Sequence, residues 1–195
     1  MKRSERLVDM TKYLMERPHT LIALPFFAKR YGAAKSSISE DLAILKHTLA
    51  SNQDGVLETV AGAAGGVRYI PFLGQKHAEK YLSDLSSRIE DPSRILAGGF
   101  VYLSDILGDT QDLRRIGELI ATRYAYEDVD AVMTVETKGI ALAQAIARYL
   151  NVPFVTARKR SKVTEGATVS VNYISSSLSR VSKMELPTRA LKKGF

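Results

Sequence analysis

VDAVMTVETKGIALAQAIARYLNVPFVTAR, residues 129–158, is the stretch that decides the fold class. VDAVMTV (129–135) is a continuous β-prone apolar run, the pattern of a strand buried on both faces. Glu136-Thr137-Lys138-Gly139 follows as a tight polar loop, then a helix over about 140–150, then a second β-prone run, VPFVTAR (152–158). Strand, loop, helix and strand make a βαβ unit of a parallel sheet. The loop falls at the carboxyl end of one strand and the amino end of a helix, where open α/β sheets bind ligands. Thr137 and the backbone N–H groups there suit phosphate oxygens. Lys138 adds a point charge, and Gly139 permits close approach. Glu136 opposes this by repelling phosphate, and the loop is too short for a GxxxxGK[ST] phosphate loop. On the residues alone, an anion site and a plain structural turn both stay open.

Downstream, Arg158-Lys159-Arg160-Ser161-Lys162 places four cations in five positions ahead of Gly166. This reads either as an anion-gripping flap or as a solvated charge run. TVSVNYI (168–174) alternates apolar and polar residues, as an exposed antiparallel strand does, and KMEL (183–186) returns beside it. Two parallel strands and a hairpin make a thin sheet. With ALKKGF leading toward a further strand, the domain reads as missing its C-terminal part. Upstream, a helix is expected over roughly 111–124 with Leu113, Ile116, Leu119 and Ile120 inward. Phe100 and Tyr102, after Gly98-Gly99, are either base-stacking or core aromatics. Residues 75–89 predict an amphipathic helix with Ala78, Tyr81, Leu82, Leu85 and Ile89 on one face, ended by Asp91-Pro92. It reads as the join between two domains and a candidate dimer surface.

The first seventy residues have a different rhythm. Leu7, Val8, Thr11, Leu14 and Met15 share a helix face, with Ser4 as the expected N-cap and Pro18 as the stop. A short helix follows, with Pro25 in its first turn and Gly32 closing it. A third begins at Ser36-Ser37-Ile38-Ser39-Glu40, where Ser37 and Glu40 have capping-box spacing, and Ile38, Leu42, Leu45 and Leu49 form its stripe. VLETV (56–60), AGAAGG (61–66) and VRYI (67–70) predict a hairpin with a small-residue tip. Three short helices and a hairpin are the order of a winged helix-turn-helix, giving an expected division into domains 1–73 and 74–195. Lys35, Ser36, Ser37 and Ser39 at a helix start suit phosphates and base edges. Gly65, Gly66 and Arg68 at the hairpin tip and Lys2, Arg3 and Arg6 in a basic arm are the other candidate DNA contacts.

Composition narrows the classes. The chain has 195 residues, 45% apolar and 25% charged, which suits a globular protein. It has no cysteine, so disulfide frameworks, Cys-based zinc sites and thiol nucleophiles are excluded. No apolar window is long enough for a transmembrane span. MKRSERLVDM lacks the apolar core of a secretory signal, so a cytoplasmic location and no membrane partner are expected. His19, His47 and His77 are scattered without metal-binding spacing. No G-x-S-x-G elbow or acid/base pair stands out, so neither a metal nor catalytic residues are expected. The net charge of +7 is uneven: residues 151–195 carry nine basic and two acidic side chains, and 76–150 carry nine and twelve. Basic segments attract phosphates.

KRSERLVDMTKYL, AKSSISEDL, GAAGGVRYIP, RILAGGFVYLSDILG, VDAVMTVETKGIALA, LNVPFV and KVTEGATVSVNYIS, in that order, resemble the purine operon repressor family of Gram-positive bacteria across essentially the whole chain. The resemblance implies an N-terminal winged helix followed by a type I phosphoribosyltransferase-like domain. It implies a homodimer that binds operator DNA of purine synthesis genes and senses 5-phosphoribosyl 1-pyrophosphate (PRPP) or a related purine nucleotide as effector, without a cofactor or transferase activity. It makes Thr137-Lys138-Gly139 the pyrophosphate loop and places Lys162 to Gly166 in a flap. Phe100, Tyr102, Arg158 and Lys162 complete the expected effector contacts. The chain departs from the family pattern in four places. Glu136 stands where Ala is usual, and Phe100 where Tyr is usual. A Gly is expected within Ser175-Ser176-Ser177, and the family's Asp-Asp ribose-phosphate motif is expected just beyond Phe195. Without that motif, PRPP is expected to bind far more weakly than to a version extended through it. The competing readings are a phosphoribosyltransferase enzyme of nucleotide salvage with an added N-terminal domain, and a dimeric scaffold that has lost its ligand.

Overall fold

The computed structural model describes residues 1–62, 64–160, 163–175 and 180–190. The chain forms two compact units. One comprises Met1–Arg88 with Glu118–Tyr126 and Tyr149–Asn151; the other comprises Ile89–Gly117, Glu127–Arg148 and Val152–Phe195.

The first unit opens with three helices, α1 (Arg3–Met15), α2 (Leu24–Tyr31) and α3 (Lys35–Asn52), and a two-stranded antiparallel wing, β1 (Val56–Val60) with β2 (Gly66–Ile70). Apolar positions on all five elements converge on one core. Met10, Leu14, Phe27, Ile38, Leu45, Leu57 and Val67 are buried in it, with Leu49 half-buried at its margin. Phe27 sits among aromatic rings, its plane nearly parallel to that of Tyr31 and edge-on to Tyr13. The Tyr31 hydroxyl donates to Asp9 of α1, which also accepts from Arg30. Burial and the Asp9 carboxylate push the Tyr31 phenol up to about 12, so the hydroxyl stays a donor. Ile22 pairs with Val67 in a β-bridge that ties the α1–α2 connection to the wing. α4 (Gln75–Ile89) then leads away with no buried residue, its apolar positions Leu82 and Ile89 exposed.

Two capping expectations fail. α1 starts two residues earlier than Ser4 allows: Lys2 is its N-cap, and its backbone N–H donates to Glu5. α3 begins at Lys35 with Ala34 at the N-cap and no side-chain cap, so Ser37 lies inside the first turn and its capping box with Glu40 does not form. The Arg3 and Arg6 side chains of α1 instead donate to Asp41 of α3 across this junction. Gly32 does close α2, in the left-handed conformation that glycine tolerates.

The predicted βαβ unit lies in the second unit except for the last residues of its helix, Tyr149 and Leu150. β5 (Val132–Val135) and β6 (Phe154–Ala157) pair in parallel, joined by α6 (Gly139–Leu150). β5 is shorter than the apolar run suggested and is not buried on both faces: Met133 is 69% exposed and Val135 50%. Among the described residues β5 pairs only with β6, and its Met133 and Val135 stay exposed although Val155 and Ala157, opposite them in the register, are buried. α5 (Thr110–Arg123) precedes it. β7 (Thr168–Ser175) and β8 (Arg180–Pro187) form the expected antiparallel ribbon. A short hairpin, β3 (Ile95–Leu96) with β4 (Phe100–Val101), went unpredicted. Gly98 and Gly99, both with positive φ, make its turn. Arg94 clamps the hairpin's base by a bidentate pair with Asp105 at 2.7 and 2.8 Å, which holds the Asp105 carboxyl down to about 2. The expected strand after ALKKGF lies outside the described residues.

Candidate nucleic-acid interface and anion-binding loop

The outward side of α3 is set by its buried side. Ile38, Leu42 and Leu45 turn into the core, which leaves Lys35, Ser36, Ser39, Glu40 and Lys46 in solvent. Lys35 and Ser36 are exposed in the first turn, where helix N–H groups lack intrahelical partners. Ser37 is half-buried, and the Ser39 hydroxyl donates to the Lys35 carbonyl at 3.0 Å, so Ser39 is engaged within the helix.

Asp41 breaks the apolar stripe. It is fully buried three positions after Ile38 and accepts hydrogen bonds from the Arg3 and Arg6 side chains of α1. Burial alone would raise its carboxyl, but hydrogen bonds from Arg6 and then Arg3, with their charges, hold it below the usual range. The basic arm is therefore divided. Arg6 is turned inward onto Asp41, Arg3 bonds Asp41 and Glu40 with half its side chain in water, and Lys2 is exposed. Sequence reasoning missed Asp41, although a carboxylate at stripe spacing between Ile38 and Leu45 was a legible sign of a buried ion pair.

The wing is also more committed than its sequence suggests. Arg68 pairs with Glu58, directly opposite it in the strand register. Gly66 is buried, and a Cβ there would strike the Ile22 carbonyl; at Gly65 it would strike the Val60 carbonyl. Close backbone packing, within the wing at Gly65 and against the α1–α2 connection at Gly66, accounts for both glycines. The exposed tip is Ala61, Gly62 and Ala64.

The polar loop sits where the βαβ reading placed it, between the end of β5 and the start of α6. Thr137 and Lys138 are exposed. Gly139 opens α6 against Thr134, and any side chain there would collide with the Thr134 hydroxyl. Glu136 turns away from solvent. Its carboxylate accepts from the Arg158 guanidinium at 3.0 Å and from the Lys159 backbone N–H at 3.0 Å. Arg158 also donates to Glu165 at 2.8 Å, and its backbone pairs with Glu185 of β8 in both directions. Arg158 thus stands in the second unit as a half-buried bridge between carboxylates, not as a free cation. Phe100 is 71% exposed and Tyr102 44%, so neither fills the core. Lys162 lies outside the described residues. No group of three or more potential metal ligands gathers among the described residues, and none of their helices is long and apolar enough to cross a membrane.

Residues 2–71 match the bacterial purine repressor N-terminal family, and residues 104–190 match the phosphoribosyl transferase domain. The purine biosynthesis transcriptional repressor PurR of Bacillus subtilis is 54% identical over 193 residues, which cover 99% of this chain and 68% of that protein. The chain belongs to the PurR family of purine biosynthesis regulators. A second PurR relative, the purine biosynthesis transcriptional activator of Lactococcus lactis, is 46% identical over 194 residues, covering 100% of this chain and 72% of the relative. Among solved structures, adenine phosphoribosyltransferase from Rhodothermus marinus aligns over 60% of this chain and 65% of that chain, at 22% identity and a TM-score of 0.48. The PurR architecture of a DNA-binding head followed by a phosphoribosyltransferase-type domain is the fold class the sequence predicted. The family contains both a named repressor and a named activator, so membership by itself leaves the sign of regulation open.

Proposed function

We propose that this regulator represses purine biosynthesis genes by binding operator DNA as a homodimer, and that PRPP modulates the binding at a non-catalytic phosphoribosyltransferase-like site. The observation that carries the reading is the first turn of α3, where Lys35 and Ser36 stand in solvent at an uncapped helix start. A winged-helix recognition helix enters the major groove by this end. Lys2 and the outer part of Arg3 add positive charge on the helix that Asp41 binds to α3. Repression is preferred to activation because the Bacillus subtilis repressor shares the higher identity. Thr137, Lys138 and the amino end of α6 support pyrophosphate recognition, since a strand end facing a helix start concentrates N–H donors and positive potential.

The deciding experiment is fluorescence anisotropy of the chain on duplex DNA from upstream of purine synthesis genes, with and without PRPP. The expected result is specific binding that PRPP changes. Equal binding to unrelated duplex would overturn the operator reading, and indifference to PRPP would overturn the effector reading. One observation favours a transferase: a xanthine phosphoribosyltransferase of Alkaliphilus metalliredigens is 35% identical over 78 residues. That match covers 38% of this chain and 39% of the relative, against nearly the whole chain for the regulators. Release of pyrophosphate from PRPP in the presence of a purine base would establish the enzyme reading.

A further inference from the structure

The loop before α6 is flanked by a cation that its own neighbour has captured. Glu136 precedes Thr137 directly, and its two carboxylate oxygens are both engaged: Oε2 accepts from Arg158 Nη1 and Oε1 from the Lys159 amide. A guanidinium and a backbone N–H converging on two oxygens of one acid group is the donor set that a phosphate takes. Glu165 holds the other side of the same guanidinium through Nε. The Arg158 side chain is largely withdrawn from water, at 17% exposure, and Glu136 and Glu165 are at 25% and 20%. The backbone pairing with Glu185 fixes the Arg158 main chain, so any change of partner falls to the side chain.

We propose that Glu136 acts as an internal anion that sets the affinity of this loop for phosphate-bearing ligands, by occupying Arg158 and the Lys159 amide in their absence. The inference rests on the reading of Thr137-Lys138-Gly139 as a pyrophosphate-binding loop. Two consequences follow for a pyrophosphate group arriving there. It meets the Glu136 carboxylate as a like charge, and it competes with Glu136 and Glu165 for the Arg158 guanidinium. Arg158 is thus a contact held in reserve, and Glu136 is an affinity-determining residue that opposes the ligand. Glu165 shares the role from the other side, where its loss leaves Arg158 still held by Glu136.

Calorimetric titration of inorganic pyrophosphate and, separately, of PRPP into the full chain tests this at low and at physiological salt. Glu136→Gln keeps the size of the side chain and removes its charge. It should bind pyrophosphate about tenfold more tightly, the value of one charged hydrogen bond restored to the ligand. Glu165→Gln should give a smaller gain. The Glu136→Gln gain should be clearly smaller in an Arg158→Met background, where only the like-charge repulsion and the Lys159 amide remain to be relieved, and it should shrink as salt screens the charges. Pyrophosphate binding that is equal in the parent and in both glutamine variants would overturn the inference while leaving the loop reading intact. No heat of binding in any variant, with the chain still folded by circular dichroism, would overturn the loop reading and this inference together.

Discussion

At the scale of single residues, this molecule spends its arginines on its own carboxylates. Arg6 and Arg3 serve Asp41, Arg30 serves Asp9, Arg68 serves Glu58, Arg94 serves Asp105 and Arg158 serves Glu136. Cations identified from sequence as ligand contacts therefore divide into engaged and available ones, and Lys35 belongs to the second group. Lys35→Ala should weaken operator binding and lower the slope of log affinity against log salt by about one unit if it meets a single phosphate. An unchanged slope in a folded variant removes Lys35 from the interface. Asp41 makes a prediction about pH. Its carboxyl lies below the ordinary value in the folded chain, so it stabilises the fold above its unfolded pKa of about 3.9 and loses that contribution as pH falls through the folded value. Asp41→Asn should therefore be clearly less stable than the parent at pH 7, with the gap closing toward pH 3. Urea unfolding at the two pH values measures it, and a constant gap would show that the ionised carboxylate is not the source. The ion-pair partners could not be read from sequence, because they lie 35 and 38 positions apart in the Asp41 cluster and 22 apart in Glu136–Arg158.

At the scale of elements, periodicity served where one face of an element is buried by its neighbours. The stripe Ile38, Leu42, Leu45 foretold which side of α3 turns inward, and the wing strands follow from β-prone runs around a small-residue tip. It misjudged β5, because an apolar run signals strand propensity while the number of covered faces depends on distant neighbours. The β3–β4 hairpin was missed because four residues in two strands carry too little pattern, although Gly98-Gly99 marked its turn. Ser4 and Ser37 signal helix caps in the sequence, but the N-caps of α1 and α3 are Lys2 and Ala34, without a side-chain cap, and ion pairs from Arg3 and Arg6 to Asp41 join the two helices. Two substitutions test the packing of the first unit. Phe27→Ala removes a fully buried ring and should cost roughly 3–5 kcal/mol. Gly66→Ala drives a methyl group into the Ile22 carbonyl and should cost about 1–3 kcal/mol. Denaturant unfolding reads both, and a neutral Gly66→Ala would show that the α1–α2 connection yields.

At the scale of the whole molecule, α4, the β3–β4 hairpin and the β7–β8 ribbon are among the elements that leave apolar side chains in water, at Leu82, Ile95, Phe100, Val169, Val171, Ile174 and Val181. A recognition head of this size gains specific affinity by acting in pairs on symmetric half-sites. Sedimentation should accordingly show a dimer whose dissociation is promoted by Leu82→Glu on α4. A monomer at all concentrations would overturn the dimer, and a dimer indifferent to that charge would place its interface away from α4. The Asp41 cluster also has a bearing on how such measurements are set up. Because Arg3 and Arg6 bind the first turns of α3, whatever is fused ahead of Met1 emerges beside the proposed reading surface. An N-terminal purification tag would crowd the duplex, and a polyhistidine one would add its own charge as it protonates near neutral pH. Operator affinities should therefore depend more on buffer pH with a polyhistidine tag at the front of the chain, rising as the tag protonates, than after its removal.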